Sequence, residues 1–171
     1  MSLVYYPDER LTSKCKPWDF ENPPMDPINL KKEMFAAMKE YGGMGISANQ
    51  LGYDFRVFAL LNTSTNNIQE RDALCINPEV IEHIEPNVDM WESCLSTPNV
   101  TLQVNRPHKI KAKWINEFGK VREETLGGYT ARCFLHELDH LDGIMYIDHV
   151  SPIKWKEAQA KAEAIKETSN A

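Results

Sequence analysis

The amino-acid sequence predicts a single α+β domain in which β-sheets pack around a central helix and a further helix closes the chain. Three observations predict this class. Apolar residues recur at helical spacing in three separate segments, β-prone runs lie between the first two of these, and 171 residues suffice for one hydrophobic core. The order helix, strands, helix, short terminal helix is typical of α+β proteins. We expect one domain over residues 1–171.

The first helix is predicted by its cap signals. Asp26 suits the N-cap position, Pro27 suits the first helical position, and Gly42-Gly43 suits the end. Between them lies an apolar stripe at helical spacing, which we interpret as core packing: Leu30, Met34, Met38 and Tyr41. The sequence therefore predicts an amphipathic helix that begins at Pro27.

Three segments after this helix have the pattern of strands. The run from Phe55 to Leu61 is apolar enough for a buried strand, and residues 62–67 after it are polar enough for a turn. A second β-prone run covers residues 74–84. Residues 109–115 alternate between lysine and apolar side chains, which predicts a half-buried strand with a solvated lysine face. The turn "NEFG" then predicts a hairpin with "KVREETL".

The terminal segment is predicted to be a helix over residues 151–168. Ser151 is a plausible N-cap with Pro152 behind it. One face carries apolar residues at helical spacing, and the other mixes lysine and glutamate almost evenly.

Bulk composition limits the partners and the compartment. The net charge of -6 argues against general nucleic-acid binding, because phosphate neutralisation needs a surplus of lysine and arginine. No stretch approaches the roughly 20 consecutive apolar residues that span a bilayer. The N-terminal residues also lack the basic start and apolar run of a secretory signal. We therefore expect a cytoplasmic protein with no membrane partner.

The string "HELDH" at His136–His140 indicates a metal site. Such a string has a chance of only about 0.01 in a chain of this composition. On a helix over residues 129–141, the two histidines lie about 40° apart on one face, and Glu137 lies about 100° from His136, beside that face. Glu137 is thus placed to act as a base on a water molecule. Three residues share the histidine side of the helix, namely Tyr129, Arg132 and Cys133.

Two histidines leave a catalytic metal site one protein ligand short. The candidates downstream are His149 and three glutamates of the terminal helix, which would suit a zinc peptidase: Glu157, Glu163 and Glu167. Upstream stands Cys94, although a lone cysteine is more often a small buried apolar residue. A closed structural site of two histidines with Cys94 and Cys133 is a further possibility. Four cysteines in 171 residues do not require disulfides, so reduced thiols are available as ligands.

Three motifs read together resemble the peptide deformylase family. They are "GMGISANQLG" at Gly43–Gly52, "ESCLS" at Glu92–Ser96 and "LHELDH" at Leu135–His140. The family pattern is Gly-x-Gly-Leu-Ala-Ala-x-Gln, Glu-Gly-Cys-Leu-Ser and Gln-His-Glu-x-x-His, in this order. Four positions depart from it, and none of the four is a ligand: Ser47, Asn49, Ser93 and Leu135.

The resemblance implies roles for particular residues. Cys94, His136 and His140 would bind the metal, and Glu137 would be the general acid and base. Gln50 and the backbone N–H of Leu95 would stabilise the oxyanion, as preorganised donors do in a dry site. The remaining positions would bind substrate or support the site: Met44, Gly45, Tyr129 and Cys133 for substrate, and the pair Glu92–Arg106 for support.

The resemblance also implies the substrate and cofactor. The substrate would be the N-formyl group of a formyl-methionyl nascent peptide, with formate as a product. The cofactor would be one divalent ion, Fe²⁺ in cells, with Zn²⁺ or Ni²⁺ as alternatives that also suit one thiolate and two imidazoles. We expect a monomer that binds no nucleic acid directly, and contact with the ribosome is left open.

Overall fold

The computed structural model describes residues 2–63 and 71–169 and has the predicted α+β architecture. Its helices are α1 (Pro27–Tyr41), α2 (Gly128–Leu141) and α3 (Pro152–Ser169). Its strands form one five-stranded antiparallel sheet in sequence order. They are β1 (Gly45–Ser47), β2 (Val57–Leu61), β3 (Asp72–Cys94), β4 (Thr97–Ile115) and β5 (Val121–Gly127). No helix in the described ranges is long and apolar enough to cross a membrane.

Helix α1 has the predicted bounds because its cap signals act locally. The Asp26 side chain accepts a hydrogen bond from the backbone N–H of Ile28. Gly42 ends the helix in the left-handed region with φ 73°, which costs glycine little. The predicted stripe faces the core, with Leu30 and Met34 fully buried. The α1 prediction is therefore confirmed.

Strand β3 is longer than its predicted run, which ended at Ile84. It continues to Cys94, and register shifts occur beside Pro78 and Pro86. A proline cannot donate to the strand ladder, so its occurrence at irregularities is expected. Pro86 interrupts the β-prone pattern just after the predicted run. The extension matters because it places Cys94 at the end of a strand, beside the two-residue turn that leads into β4.

The β4–β5 hairpin and the terminal helix match their predictions. Strand β4 contains the predicted run at residues 109–115, and β5 begins at Val121 after the expected turn. The Ser151 hydroxyl accepts a hydrogen bond from the backbone N–H of Lys154 at 3.4 Å, as an N-cap residue does. The turn predicted at residues 62–67 lies outside the described residues from position 64 onward.

Helix α2 packs against the sheet with the face opposite its histidines. Phe134 is fully buried and meets the Phe58 ring edge-on at 4.9 Å between centroids. Leu141 is also fully buried in this cluster. This packing fixes the rotation of α2, so His136 and His140 face the region between β1 and the end of β3. The N-terminal segment joins the same region, since Val4 N–H donates to the Gln50 carbonyl and Tyr6 N–H donates to the Ser96 carbonyl.

Candidate metal centre

Cys94, His136 and His140 converge on one buried point. Their ligand atoms all lie within 4.8 Å of one another, and the Cys94 Sγ lies 3.2 Å from His140 Nε2. Burial, repulsion from His136 and the Arg106 charge lower the pKa of His140 well below its usual value, which keeps its ring neutral. A neutral imidazole and a thiolate are the forms that bind metal ions. The donor set therefore fits a divalent cation such as zinc, iron or nickel.

Glu92 holds His136 in the orientation that such a site needs. Its Oε2 lies 2.9 Å from His136 Nδ1. A carboxylate can only accept, so Nδ1 carries a proton and Nε2 is the nitrogen that can bind a metal ion. Burial alone would lower the pKa of His136, but hydrogen bonds with Cys94 and Glu92 outweigh it and raise this pKa well above its usual value. Without a metal ion Nε2 is therefore protonated, and metal binding must displace that proton. Burial by itself would raise the pKa of Glu92, but hydrogen bonds from His136 and Arg106 outweigh it and lower this pKa to about 2. The carboxylate is therefore charged at neutral pH.

Two arginines share the Glu92 carboxylate. Arg106, from β4, donates to Oε1 at 2.7 Å and to Oε2 at 3.1 Å. Arg132, from α2, donates to Oε1 at 3.0 Å and to the Val104 carbonyl at 2.8 Å. The resemblance pointed to the pairing of Glu92 with Arg106, and the structure brings these two together. It did not point to Arg132, although the helical wheel places Arg132 on the histidine side of α2.

Asp139 connects Arg106 to the exposed His149. Arg106 Nη1 donates to Asp139 Oδ2 at 2.6 Å, and His149 Nε2 lies 2.7 Å from the same oxygen. His149, a candidate third ligand from the sequence, is thus turned toward Asp139. Within residues 2–63 and 71–169, His149 and the three candidate glutamates lie outside the cluster of potential ligands.

Glu137 lies beside the candidate ligands Cys94, His136 and His140, which we call the ligand trio, and is 4% exposed. Burial raises the pKa of Glu137 to about 7, against the opposing effects of His136 and of the Ser47 hydroxyl. Its Oε2 is buried and has no hydrogen-bond partner in the described structure. This carboxylate is therefore placed to exchange a proton near neutral pH with a molecule that enters the site.

The Gln50 amide is oriented by its hydrogen bonds. The Ser47 backbone N–H can only donate and lies 2.9 Å from Gln50 Oε1. Gln50 Nε2 must then point the other way, where it donates to the Ser96 hydroxyl at 3.0 Å and lies 3.5 Å from Cys94 Sγ. An N–H donor is thus held beside the ligand trio. Leu95, whose backbone N–H follows Cys94 directly, also lines this region.

A cavity of about 320 Å³ opens beside these residues. Met44 and Tyr129 line it and are 44% and 65% exposed, whereas Cys133 is less exposed. Burial raises the pKa of the Cys133 thiol well above its usual value, which favours the neutral form. Among the described residues Cys133 is not part of the potential ligand cluster. The described structure therefore does not group Cys133 with Cys94, His136 and His140 as a fourth potential ligand.

Gly45 contacts helix α2 more closely than any other residue type could. A Cβ built at Gly45 would lie 2.5 Å from Cys133 Sγ and 2.7 Å from Glu137 Oε1. The resemblance implies that this glycine allows close approach of a substrate. The structure adds a second reason, since the glycine leaves room for the Glu137 carboxylate.

The four departures from the family pattern fall outside the trio. Leu135 is 7% exposed and packs in the core cluster of Phe134 and Phe58, where an amide would be poorly placed. Ser93 is exposed at the cavity. The Ser47 hydroxyl donates to Asn49 Oδ1 at 2.7 Å, and Asn49 Nδ2 donates to the His140 carbonyl at 2.7 Å. Ser47 and Asn49 thus connect the first motif to helix α2.

Comparisons with known proteins identify the family. The family model of the polypeptide deformylases matches residues 1–156. This chain belongs to the polypeptide deformylase family. It is 34% identical over 174 residues to the peptide deformylase of Wolbachia sp. subsp. Brugia malayi, covering 97% of this chain and 96% of that protein. The peptide deformylase of Thermotoga maritima is 39% identical over 130 residues, which cover 74% of this chain and 75% of that protein.

Solved structures give the same result for the fold. The crystal structure of a peptide deformylase from Legionella pneumophila matches with a TM-score of 0.85 and 30% identity, covering 99% of this chain and 96% of that one. The chain is accordingly a metal-dependent hydrolase of the deformylase class.

We predict that Gly45→Ala lowers kcat by roughly a hundredfold, because displacing a catalytic group by about 1 Å has this effect in other enzymes. The three atoms nearest to its added methyl belong to Cys133 and Glu137 and not to the candidate ligands, so both side chains should shift while bound metal stays near one per chain. Formate release and metal content are measured together. Gly127→Ala is the control, since a Cβ there meets only the Lys109 side chain, at 3.4 Å. Unchanged kcat in Gly45→Ala would contradict the assigned contact.

We predict that Glu92→Gln destabilises the metal-free protein in a pH-dependent way. The folded pKa of about 2 lies below the usual 4.5, so the carboxylate contributes stability above pH 4.5 and loses it as pH falls toward 2. At pH 7 the free energy of unfolding should fall by roughly 3 kcal/mol. Denaturant titration with a chelator present should show about half of that difference at pH 3. Glu82→Gln, on the exposed side of β3, is the control; equal differences at both pH values would contradict the account.

Proposed function

We propose that this chain removes the N-formyl group from formyl-methionyl nascent peptides, with Cys94, His136 and His140 as the metal ligands. The observation that carries the proposal is the convergence of these three donor atoms within 4.8 Å beside a buried, unpartnered carboxylate oxygen. A closed structural site would instead need a fourth protein ligand. The trio leaves room for water and substrate from the cavity.

A bound divalent cation would lower the pKa of a water molecule and polarise the formyl carbonyl. Glu137 would accept the proton of that water as its oxygen attacks the formyl carbon. It would then deliver the proton to the peptide nitrogen as the carbon–nitrogen bond breaks, giving formate and a free amino terminus. A pKa of about 7 suits a group that must both accept and donate near neutral pH.

Two donors would stabilise the negative charge that develops on the formyl oxygen. Gln50 Nε2 is held toward Cys94 by the bonds to its other amide atom. The Leu95 backbone N–H would be the second donor. Fixed N–H groups stabilise an oxyanion strongly because they need no reorganisation during the reaction. Removal of one such donor typically lowers kcat by a factor of about 10² to 10³.

The first side chain of the substrate would enter the cavity between Met44 and Cys133. An unbranched thioether side chain suits a lining of sulfur and apolar atoms. Tyr129, at the mouth, would cover the bound side chain from solvent.

We further propose that the cation is Fe²⁺ in cells, with Zn²⁺ or Ni²⁺ able to replace it. One thiolate with two imidazoles is compatible with all three ions. We propose that one domain over residues 1–171 acts as a monomer in the cytoplasm on peptides leaving the ribosome.

Formate release from formyl-Met-Ala-Ser under anaerobic conditions tests the function. Freshly metallated wild type should release formate, and Glu137→Gln should lower kcat by a factor of about 10² to 10⁴ while keeping its metal. Cys94→Ser should lose both metal and activity. The matched control is Cys75→Ser, at a buried cysteine on β3 outside the ligand cluster. Retained metal and full activity in Cys94→Ser would refute the ligand assignment and favour a peptidase with a different third ligand.

A further inference from the structure

The outer face of the β3–β4 hairpin connects the cavity to a second hollow. This hollow, of about 330 Å³, lies between β4 and α3, and we call it the α3 groove. Its lining on β4 includes Asn99, Thr101 and Gln103, and Lys154 and Lys161 line it from α3. None of these residues belongs to the ligand trio or to its hydrogen-bonded support.

Trp91 is the shared wall of the two hollows. Its side chain lines both the cavity and the α3 groove. It is 66% exposed, whereas Trp18 and Trp114 are each 3% exposed. An indole with this much apolar surface in water is a common feature of binding sites. Because Trp91 lies between the two hollows, its side chain can contact a ligand that extends from one to the other.

The strand register makes the floor between the two hollows continuous. Trp91 pairs with Gln103 and Ser93 pairs with Thr101 across β3 and β4. Directly opposed residues point to the same face of a sheet, with Cβ atoms about 5 Å apart. Ser93 lines the cavity, while Thr101 and Gln103 line the groove, so this exposed four-residue face leads from one to the other.

We propose that the α3 groove binds the part of the formylated peptide that follows its first three residues, with Trp91 as the platform between the two sites. This inference rests on the proposed function. Trp91 lies three residues before Cys94 on β3, a separation of about 10 Å at roughly 3.3 Å per residue. Three residues of an extended peptide cover about the same length. Residues four to six of the peptide would then lie beyond Trp91, in the groove.

The chemistry of the groove suits a substrate whose later residues vary. Amide and hydroxyl side chains such as Asn99, Thr101 and Gln103 can both donate to and accept from a peptide backbone, whatever its side chains are. An aromatic platform also contacts many residue types through its apolar face. The groove would therefore strengthen binding of long peptides with little sequence preference, which matches nascent chains as a substrate class.

The test compares formyl-Met-Ala-Ser with formyl-Met-Ala-Ser-Ala-Ala-Ser on the metallated enzyme. For wild type we expect about a tenfold higher kcat/KM with the hexapeptide, mainly through a lower KM, because the added residues contribute binding energy. Trp91→Ala should reduce this length advantage to less than twofold. Thr101→Lys, which fills the groove from an exposed position outside the cavity, should do the same.

The control variant is Phe118→Ala, which removes an equally exposed aromatic ring, also 66% exposed, from the β4–β5 turn. It should keep the wild-type length advantage. Equal kcat/KM for the two peptides in wild type would overturn the groove proposal while leaving the proposed function intact. Equal losses for both peptides in Trp91→Ala would also overturn it, because Trp91 would then act on the first residues. Failure of wild type to release formate from the tripeptide would reject the proposed function itself.

Discussion

The structure depends on one buried carboxylate that joins the strand carrying the thiol to the helix carrying the imidazoles. Glu92 lies two residues before Cys94 on β3, and its oxygens accept from His136 and Arg132 of α2 and from Arg106 of β4. A charge buried this deeply is tolerated because each of its oxygens is bonded by charged or ring N–H donors. Removal of the carboxylate would take away the carboxylate partner of the buried Arg132 guanidinium and leave Arg106 with Asp139 alone.

This arrangement explains how distant segments form one site. Cys94 lies at the end of β3, whereas His136 and His140 lie on α2. A cation bound by these three residues would have to hold the two elements together by itself. Glu92 fixes the relative position of the two before any ion binds, and its bond to Nδ1 leaves Nε2 as the His136 nitrogen that can bind a metal ion. Ser47 and Asn49 add a second link, from the Gln50 loop to the carbonyl of His140. Ser47 and Asn49, two of the four departures from the family pattern, thus form a hydrogen-bonded pair.

The features that could be predicted from sequence are those set by local signals. Asp26, Pro27 and Gly42 determine the bounds of α1 through short-range caps, so the prediction is correct to the residue. The spacing of His136, Glu137 and His140 on a helix is likewise local. The course of β3 past Ile84 could not be predicted, because Pro86 interrupts the pattern there and pairing with β4 maintains the strand.

The long-range contacts of the site had weaker signals. Arg132 falls on the histidine side of the helical wheel, but its partner Glu92 is 40 positions away, and no periodicity reveals such a pair. The contact of His149 with Asp139 depends on the path of the chain after α2. The position of Trp91 between two hollows requires the β3–β4 register and the packing of α3, neither of which is encoded in a short motif.

X-ray absorption spectroscopy of the metal-loaded protein tests the central claim most directly, because it counts the sulfur and nitrogen ligands of the ion. For a zinc-loaded sample the account predicts one sulfur at about 2.3 Å and two imidazole nitrogens at about 2.0–2.1 Å, with the remaining ligand an oxygen. The Cys133→Ala spectrum should be the same. A spectrum with two sulfur ligands, or with none, would contradict the assignment of Cys94, His136 and His140 as the ligand set.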